Sequence, residues 1–207
     1  MRAGTFIFDL DGTLWDSTKV VFRAWSETVL KKGYRLTPDD MRGAMGLQIA
    51  EIGARFFPDM APEARLTLMD KCCEYENELI RREGGELFDG VEDMLAELSK
   101  THPLYIVSNC QDGYIQAFLA YHRLGKYFAD FVFSGGRPMT KGQNIESLIK
   151  RLGLKSPVYI GDTQGDRDSA VYAGIPFVFA RYGFGQTDGY EYVIDSPREL
   201  VKLAAEN

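Results

Sequence analysis

The residues that say most about chemistry are two pairs of aspartates. Asp9 and Asp11 close the run Phe6-Ile7-Phe8-Asp9-Leu10-Asp11-Gly12-Thr13-Leu14, an apolar strand that ends in acid and turns at a glycine. Side chains two apart on an extended segment point the same way, so both carboxylates can aim at one small volume beyond the strand end. Their repulsion has to be relieved by a cation or a proton. The second pair, Asp162 and Asp166, sits in Gly161-Asp162-Thr163-Gln164-Gly165-Asp166, where a strand gives way to a helix. Residues at that spacing share a helix face. Each pair alone also reads as ordinary punctuation: an Asp-Gly turn in the first case, a capped helix with an acid in its first turn in the second. Together, converging carboxylates without clustered His or Cys call for a hard divalent cation, Mg²⁺ rather than Zn²⁺ or copper. Mg²⁺ takes one or two carboxylates, keeps waters and bridges to substrate phosphates, which points to phosphoryl chemistry.

Such convergence needs a parallel sheet, and the pattern supplies one. Short apolar strands at 5–10, 104–107, 131–133, 158–160, 176–180 and 192–194 alternate with helical periodicity at 91–100, 113–121, 143–152, 166–173 and 197–205. That alternation implies βαβ units and an α/β fold with a Rossmann-like, doubly wound parallel sheet. Ligands of such sheets bind beyond the carboxyl ends of the strands. The groups found there are Asp9 and Asp11, then Ser108 and Asn109, then the segment from Ser134 to Lys141, then Gly161 and Asp162. Between 17 and 83 the text is helical throughout, with Ser17 read as a cap, Gly33 as a stop and Thr37-Pro38-Asp39-Asp40 as a fresh start. The expected organisation is a core of 1–16 and 84–207, with an all-helical cap of 17–83 inserted at the active edge.

The 207 residues suffice for one such core with an insertion. A net charge of −6 argues against nonspecific binding to nucleic acid or anionic membranes. Cys72, Cys73 and Cys110 form neither a disulfide framework nor a metal spacing, so a reducing, cytoplasmic location is expected. A core strand within the first few residues leaves no room for a signal peptide, and no apolar run is long enough to span a membrane. Two histidines, His102 and His122, make a His-rich zinc site or a Ser-His-Asp triad an unpromising reading.

The motifs FDLDGT, Ser108, Lys141 and GDTQGD, in this order and across nearly the whole chain, resemble the haloacid dehalogenase-like superfamily of phosphohydrolases. The helical insertion directly after the first motif is similar to the helical-cap, phosphoglycolate phosphatase-like subgroup. The resemblance implies that Asp9 is the nucleophile, forming an aspartyl-phosphate. It implies that Asp11 is the general acid and then the base, and that Ser108 binds a phosphoryl oxygen. Lys141 would neutralise the transferring group, although Gly142 follows it where many relatives have proline. Mg²⁺ would be held by Asp9, the backbone carbonyl of Asp11 and Asp162, with Asp166 reaching it through water. Asn109 and Thr163 would neighbour the phosphate or the metal ligands.

Asp11 also separates members of the family: dehalogenases carry an aromatic residue there and phosphoryl-transferring ATPases a threonine. An aspartate implies a phosphatase or phosphomutase. A sugar-phosphate mutase is disfavoured by Val21 and Ile49, which stand where it has histidine and arginine. The function expected is hydrolysis of a small-metabolite phosphomonoester by a monomer or homodimer. Pyrophosphatase and phosphomutase remain alternatives, and a non-catalytic phosphate-binding module a remoter one. The cap hinges are expected at 14–16 and 83–89. Gly46 and Gln48 are expected in a cap loop over the substrate, and the aromatics Phe22, Trp25, Phe56 and Phe57 in the cap core. The charges from Glu74 to Glu83 read as a solvated helix face.

Overall fold

The computed structural model describes residues 1–135 and 139–205. Part of the expected loop before Lys141, and the last two residues of the expected core, lie outside that range. Strand β1 (Thr5–Phe8) is wholly buried, because a central parallel strand is covered on both faces. It follows that its text is apolar throughout rather than alternating. After it come β2 (Trp15–Asp16), β3 (Glu86–Leu87), β4 (Leu104–Ser108), β5 (Asp130–Phe133), β6 (Pro157–Gly161), β7 (Phe177–Ala180) and β8 (Tyr192–Ile194). Six of these make one sheet in the order β5-β4-β1-β6-β7-β8, parallel at every pairing. Phe6 pairs with Leu104 on one side and Val158 on the other. The chain winds outward from β1 through β4 and β5, then returns to β6 across β1. The reversal makes the carboxyl end of β1 a switch point, where such sheets bind ligands.

Successive side chains of β1 serve opposite cores. Phe6 and Phe8 pack with residues of α5 (Val91–Leu98), α6 (Tyr114–His122) and α9 (Pro197–Ala205). Ile7 packs with Ile145 and Leu148 of α7 (Lys141–Leu152) and Ala170 of α8 (Gln164–Ala173). Each fully buried Phe or Ile contributes roughly 1.5–3 kcal/mol. The expected doubly wound sheet is the fold observed.

Four helices lie between β2 and β3: α1 (Thr18–Leu30), α2 (Pro38–Arg42), α3 (Ile49–Phe56) and α4 (Pro62–Glu83). Thr37 and Asp40 cap α2 reciprocally, as its sequence suggests. Helix α1 packs along α4, and α4 also rests on α6 of the sheet unit. The crossing segments differ from expectation. Trp15–Asp16 and Glu86–Leu87 pair as a two-residue antiparallel ribbon, too short to leave any periodicity in the sequence. Ser17 makes no side-chain cap for α1; the Thr18 N–H is instead taken by Asp16 Oδ1 at 2.8 Å.

Candidate active site

The site is assembled where β1, β4 and β6 end. Asp9 follows β1 directly and is tied to β6 by its N–H, which donates to the Ile160 carbonyl at 2.8 Å. The chain then reverses at Gly12, whose φ of +80° suits glycine. A Cβ there would lie 2.2 Å from Asp162 Oδ2, so the β1 turn and the β6 end approach too closely for any side chain.

Lys141, the first residue of α7, is 4% exposed and reaches between two carboxylates. Its Nζ donates to Asp9 Oδ1 at 3.0 Å and to Asp166 Oδ1 at 2.6 Å. Burial alone would drive the amine neutral, but Asp166 and Asp9 override it and hold the ammonium well above its ordinary range. Burial raises the carboxyl of Asp9 well above the usual carboxylate value, and the charge of Asp166 adds to this while Lys141 opposes it.

Oxygen atoms of Asp9, Asp162 and Asp166 lie within 4.8 Å of one another. The three differ in what already occupies them. Asp166 Oδ2 accepts from the Thr163 hydroxyl at 2.6 Å, the Thr163 N–H at 3.0 Å and the Asp162 N–H at 3.2 Å. Its Oδ1 is held by Lys141, so both oxygens of Asp166 are engaged. Thr163 and Asp166 also form the capping box of α8. Asp162 Oδ2 accepts the N–H groups of Phe184 and Gly185 at 2.8 and 3.2 Å, from the loop after β7. Asp162 Oδ1, by contrast, is buried with no partner. Burial and the charge of Asp166 push this carboxyl up to about 7, against the two N–H donors. An orphaned carboxylate oxygen beside a second acid is costly unless a cation is bound, so the donor set fits a hard metal ion.

Asp11 has a different setting. Its carboxyl is outside that cluster, and its Oδ1 accepts the Ser17 hydroxyl at 2.5 Å and the Tyr114 phenol at 2.7 Å. Burial raises its pKa, and the two hydroxyls pull it partly back. With Oδ1 doubly bonded, an acidic proton belongs on Oδ2. The sequence marks Ser17 as a helix cap, not as a partner of Asp11, and Tyr114 does not stand out in it, since its bond to Asp11 spans half the chain and no local pattern reports it.

A cleft of about 40 Å³ runs from Asp9, Asp11 and Ser108 up to the helical insert. That is room for a few waters, so the insert sits closed on the site. Ser108 and Asn109 line it from the end of β4, and Gly46 from the loop before α3. Asn109 Nδ2 donates to the Gly46 carbonyl at 2.9 Å, a direct link between sheet unit and insert. Gln48 is not among the residues lining the cleft; it is the N-cap of α3, its N–H donating to Glu51 Oε2 at 2.8 Å. Val21 and Ile49 both face the cleft, as does Trp25. Phe56 and Phe57 pack edge-on around Trp25 and Tyr34 as insert core.

Glu76 is the largest surprise. Instead of lying on a solvated face of α4 it is 4% exposed and lines the cleft. Its Oε2 accepts Trp25 Nε1 at 2.9 Å and Gln111 Nε2 at 3.0 Å. Burial pushes its pKa up to about 8.

Comparison with known proteins agrees with this geometry. A phosphoglycolate phosphatase of Rhodobacter capsulatus is 29% identical over 195 residues, covering 89% of this chain and 87% of its own. Another phosphoglycolate phosphatase, from Synechococcus elongatus, is 26% identical and covers 97% of this chain and 96% of its own. The solved structure of a haloacid dehalogenase-like hydrolase from Streptococcus pneumoniae superposes with a TM-score of 0.84 at 24% identity, over 97% of this chain and 98% of that one. With residues 6–180 matched by the model of haloacid dehalogenase-like hydrolases, the chain belongs to that family.

Proposed function

We propose that the protein is a Mg²⁺-dependent phosphomonoesterase acting on a small phosphorylated metabolite through an aspartyl-phosphate. The observation that carries this reading is the pairing of Asp9, braced by Lys141, with a separately held Asp11 in one closed cleft. Relatives of near-full coverage named as phosphatases support it.

Asp9 Oδ1 is engaged by Lys141, so Oδ2 is the oxygen available to attack phosphorus. As the new P–O bond forms, the ester P–O bond breaks and the leaving oxygen takes a proton from Asp11. Water then attacks the phosphorus of the aspartyl-phosphate, gives its proton to Asp11 and frees Asp9 and inorganic phosphate. The ammonium of Lys141 offsets charge on the transferring group, and Ser108 donates to one of its oxygens. A bound Mg²⁺ would supply further positive charge at the phosphoryl oxygens, held by Asp9, Asp162 and the backbone carbonyl of Asp11. Asp166, with both oxygens occupied, serves this arrangement by fixing Lys141 and would reach a bound ion only through water.

The helical insert acts as the cap: its closure over the cleft excludes water, and its opening on the β2–β3 ribbon admits substrate and water. A mutase is less well supported, because the insert offers apolar Val21 and Ile49 where a second phosphate would need cations. Phosphate release from a panel of phosphate esters and pyrophosphate, with and without Mg²⁺ and beside Asp9→Asn, tests the reading. Release that needs both Mg²⁺ and Asp9 is expected; release independent of either would overturn it.

A further inference from the structure

Glu76 is an acid in a place where the mechanism uses none. It projects from α4 of the insert into the cleft, where it lies close enough to Asp11 to feel that residue's charge. Both of its hydrogen bonds fall on Oε2. Oε1 has no protein partner among the described residues, and it is not one of the fully buried unpaired atoms, so it opens onto the cleft. An occupant of the cleft can supply the donor it lacks. The rest of the upper wall cannot do so, being built from Val21, Trp25, Met41, Leu47, Ile49 and Ile52. Among the described residues, no Lys, Arg or His lines this cleft.

The part of the substrate that leaves with oxygen must lie against this wall, since the phosphoryl group sits below at Asp9 and Ser108. A carboxylate there would be buried beside Glu76 and Asp11, with no Lys, Arg or His among the described residues lining the cleft to pair it. A hydroxyl or ammonium group would give Oε1 its missing donor. We propose that Glu76 sets substrate choice: the enzyme prefers phosphate esters whose alcohol portion is uncharged or cationic and carries a hydrogen-bond donor, and disfavours those whose alcohol portion bears a carboxylate. This rests on the phosphomonoesterase reading, and it separates the chain from relatives named for phosphoglycolate.

Three esters of matched size test it: 2-phosphoglycolate, 2-hydroxyethyl phosphate and phosphoethanolamine, assayed with Mg²⁺ at pH 8.5. The carboxylate ester should have a kcat/KM at least about tenfold below the other two, the discrimination expected from leaving a buried charge unpaired. Glu76→Gln keeps an acceptor for Trp25 but loses the charge. It should lower phosphoethanolamine turnover about tenfold, change 2-hydroxyethyl phosphate less and raise 2-phosphoglycolate. A wild-type preference for 2-phosphoglycolate, or an equal loss on all three esters in Glu76→Gln, would overturn the proposal. The wild-type order decides by itself should the variant fail to fold. Parallel assay of p-nitrophenyl phosphate separates the two levels: no release from any ester contradicts the phosphatase reading. In that event the affinities of the Asp9→Asn protein for the three esters still decide the selectivity, the same order supporting it and the reverse order overturning it.

Discussion

The phenol of Tyr114, the first residue of α6 between β4 and β5, donates to Oδ1 of Asp11 at 2.7 Å. With Ser17 on the same oxygen, it fixes which oxygen of Asp11 carries the proton and how acidic that proton is. Tyr114→Phe removes one donor to the ionised form, worth about 1.5 kcal/mol or one pH unit. In the proposed mechanism Asp11 starts protonated to serve the leaving group, so activity should fail as pH rises through its pKa. The alkaline limb of kcat/KM should therefore move up by about one unit in Tyr114→Phe. A pH–rate profile checks this, and an unmoved limb would remove the phenol from the acid's control.

Metal binding should depend on the orphaned oxygen of Asp162. Asp162→Asn is expected to weaken Mg²⁺ binding at least about 100-fold. Mg²⁺ should raise the melting temperature of the wild type and leave that of the variant nearly unchanged. Chelation of the wild type should abolish phosphate release, and readdition of Mg²⁺ should restore it.

The Asn109–Gly46 bond is a direct polar latch between sheet unit and insert at the cleft, beside that of Gln111 to Glu76. Its net worth is about 1 kcal/mol, so Asn109→Ala should raise KM about fivefold. The loop of residues 43–48 should also be cut faster by protease. Equal cleavage rates would show that the bond does not hold the loop.

Glu76 makes stability depend on pH. The folded protein keeps its proton up to about pH 8, whereas the unfolded chain releases it near the ordinary 4.5. Between those values the folded state binds more protons, so this contribution is full below the lower value and lost as pH rises through the upper one. Glu76→Gln should therefore gain on the wild type by an amount on the order of a few kcal/mol between pH 5 and 9. Urea unfolding at both pH values measures it; a constant difference would contradict the buried acid.

The six-stranded sheet was legible because its strands are short, mostly apolar runs, and helices such as α7 and α8 carry side-chain caps. The acids of FDLDGT and GDTQGD were legible because their spacing alone aims them. Glu76 was missed, although it lies four residues from both Cys72 and Ile80 on the apolar face of α4, because the exposed Glu74 and Glu78 beside it made the whole row read as solvated. Ser17 looked like a helix cap because hydroxyls usually are at such positions, but a buried carboxylate competed for it and won. Cys110 lines the cleft, yet burial and the charge of Asp11 keep its thiol far above the ordinary value and hence unreactive.

The central claim is that Asp9 takes the phosphoryl group. Acid quenching during turnover, followed by mass spectrometry of the peptide spanning residues 5–19, tests it most directly. A phosphoryl adduct on Asp9, absent in Asp9→Asn and accumulating in Asp11→Asn, is the predicted result. Undiminished phosphate release by Asp9→Asn, or an adduct on another residue, would contradict the account.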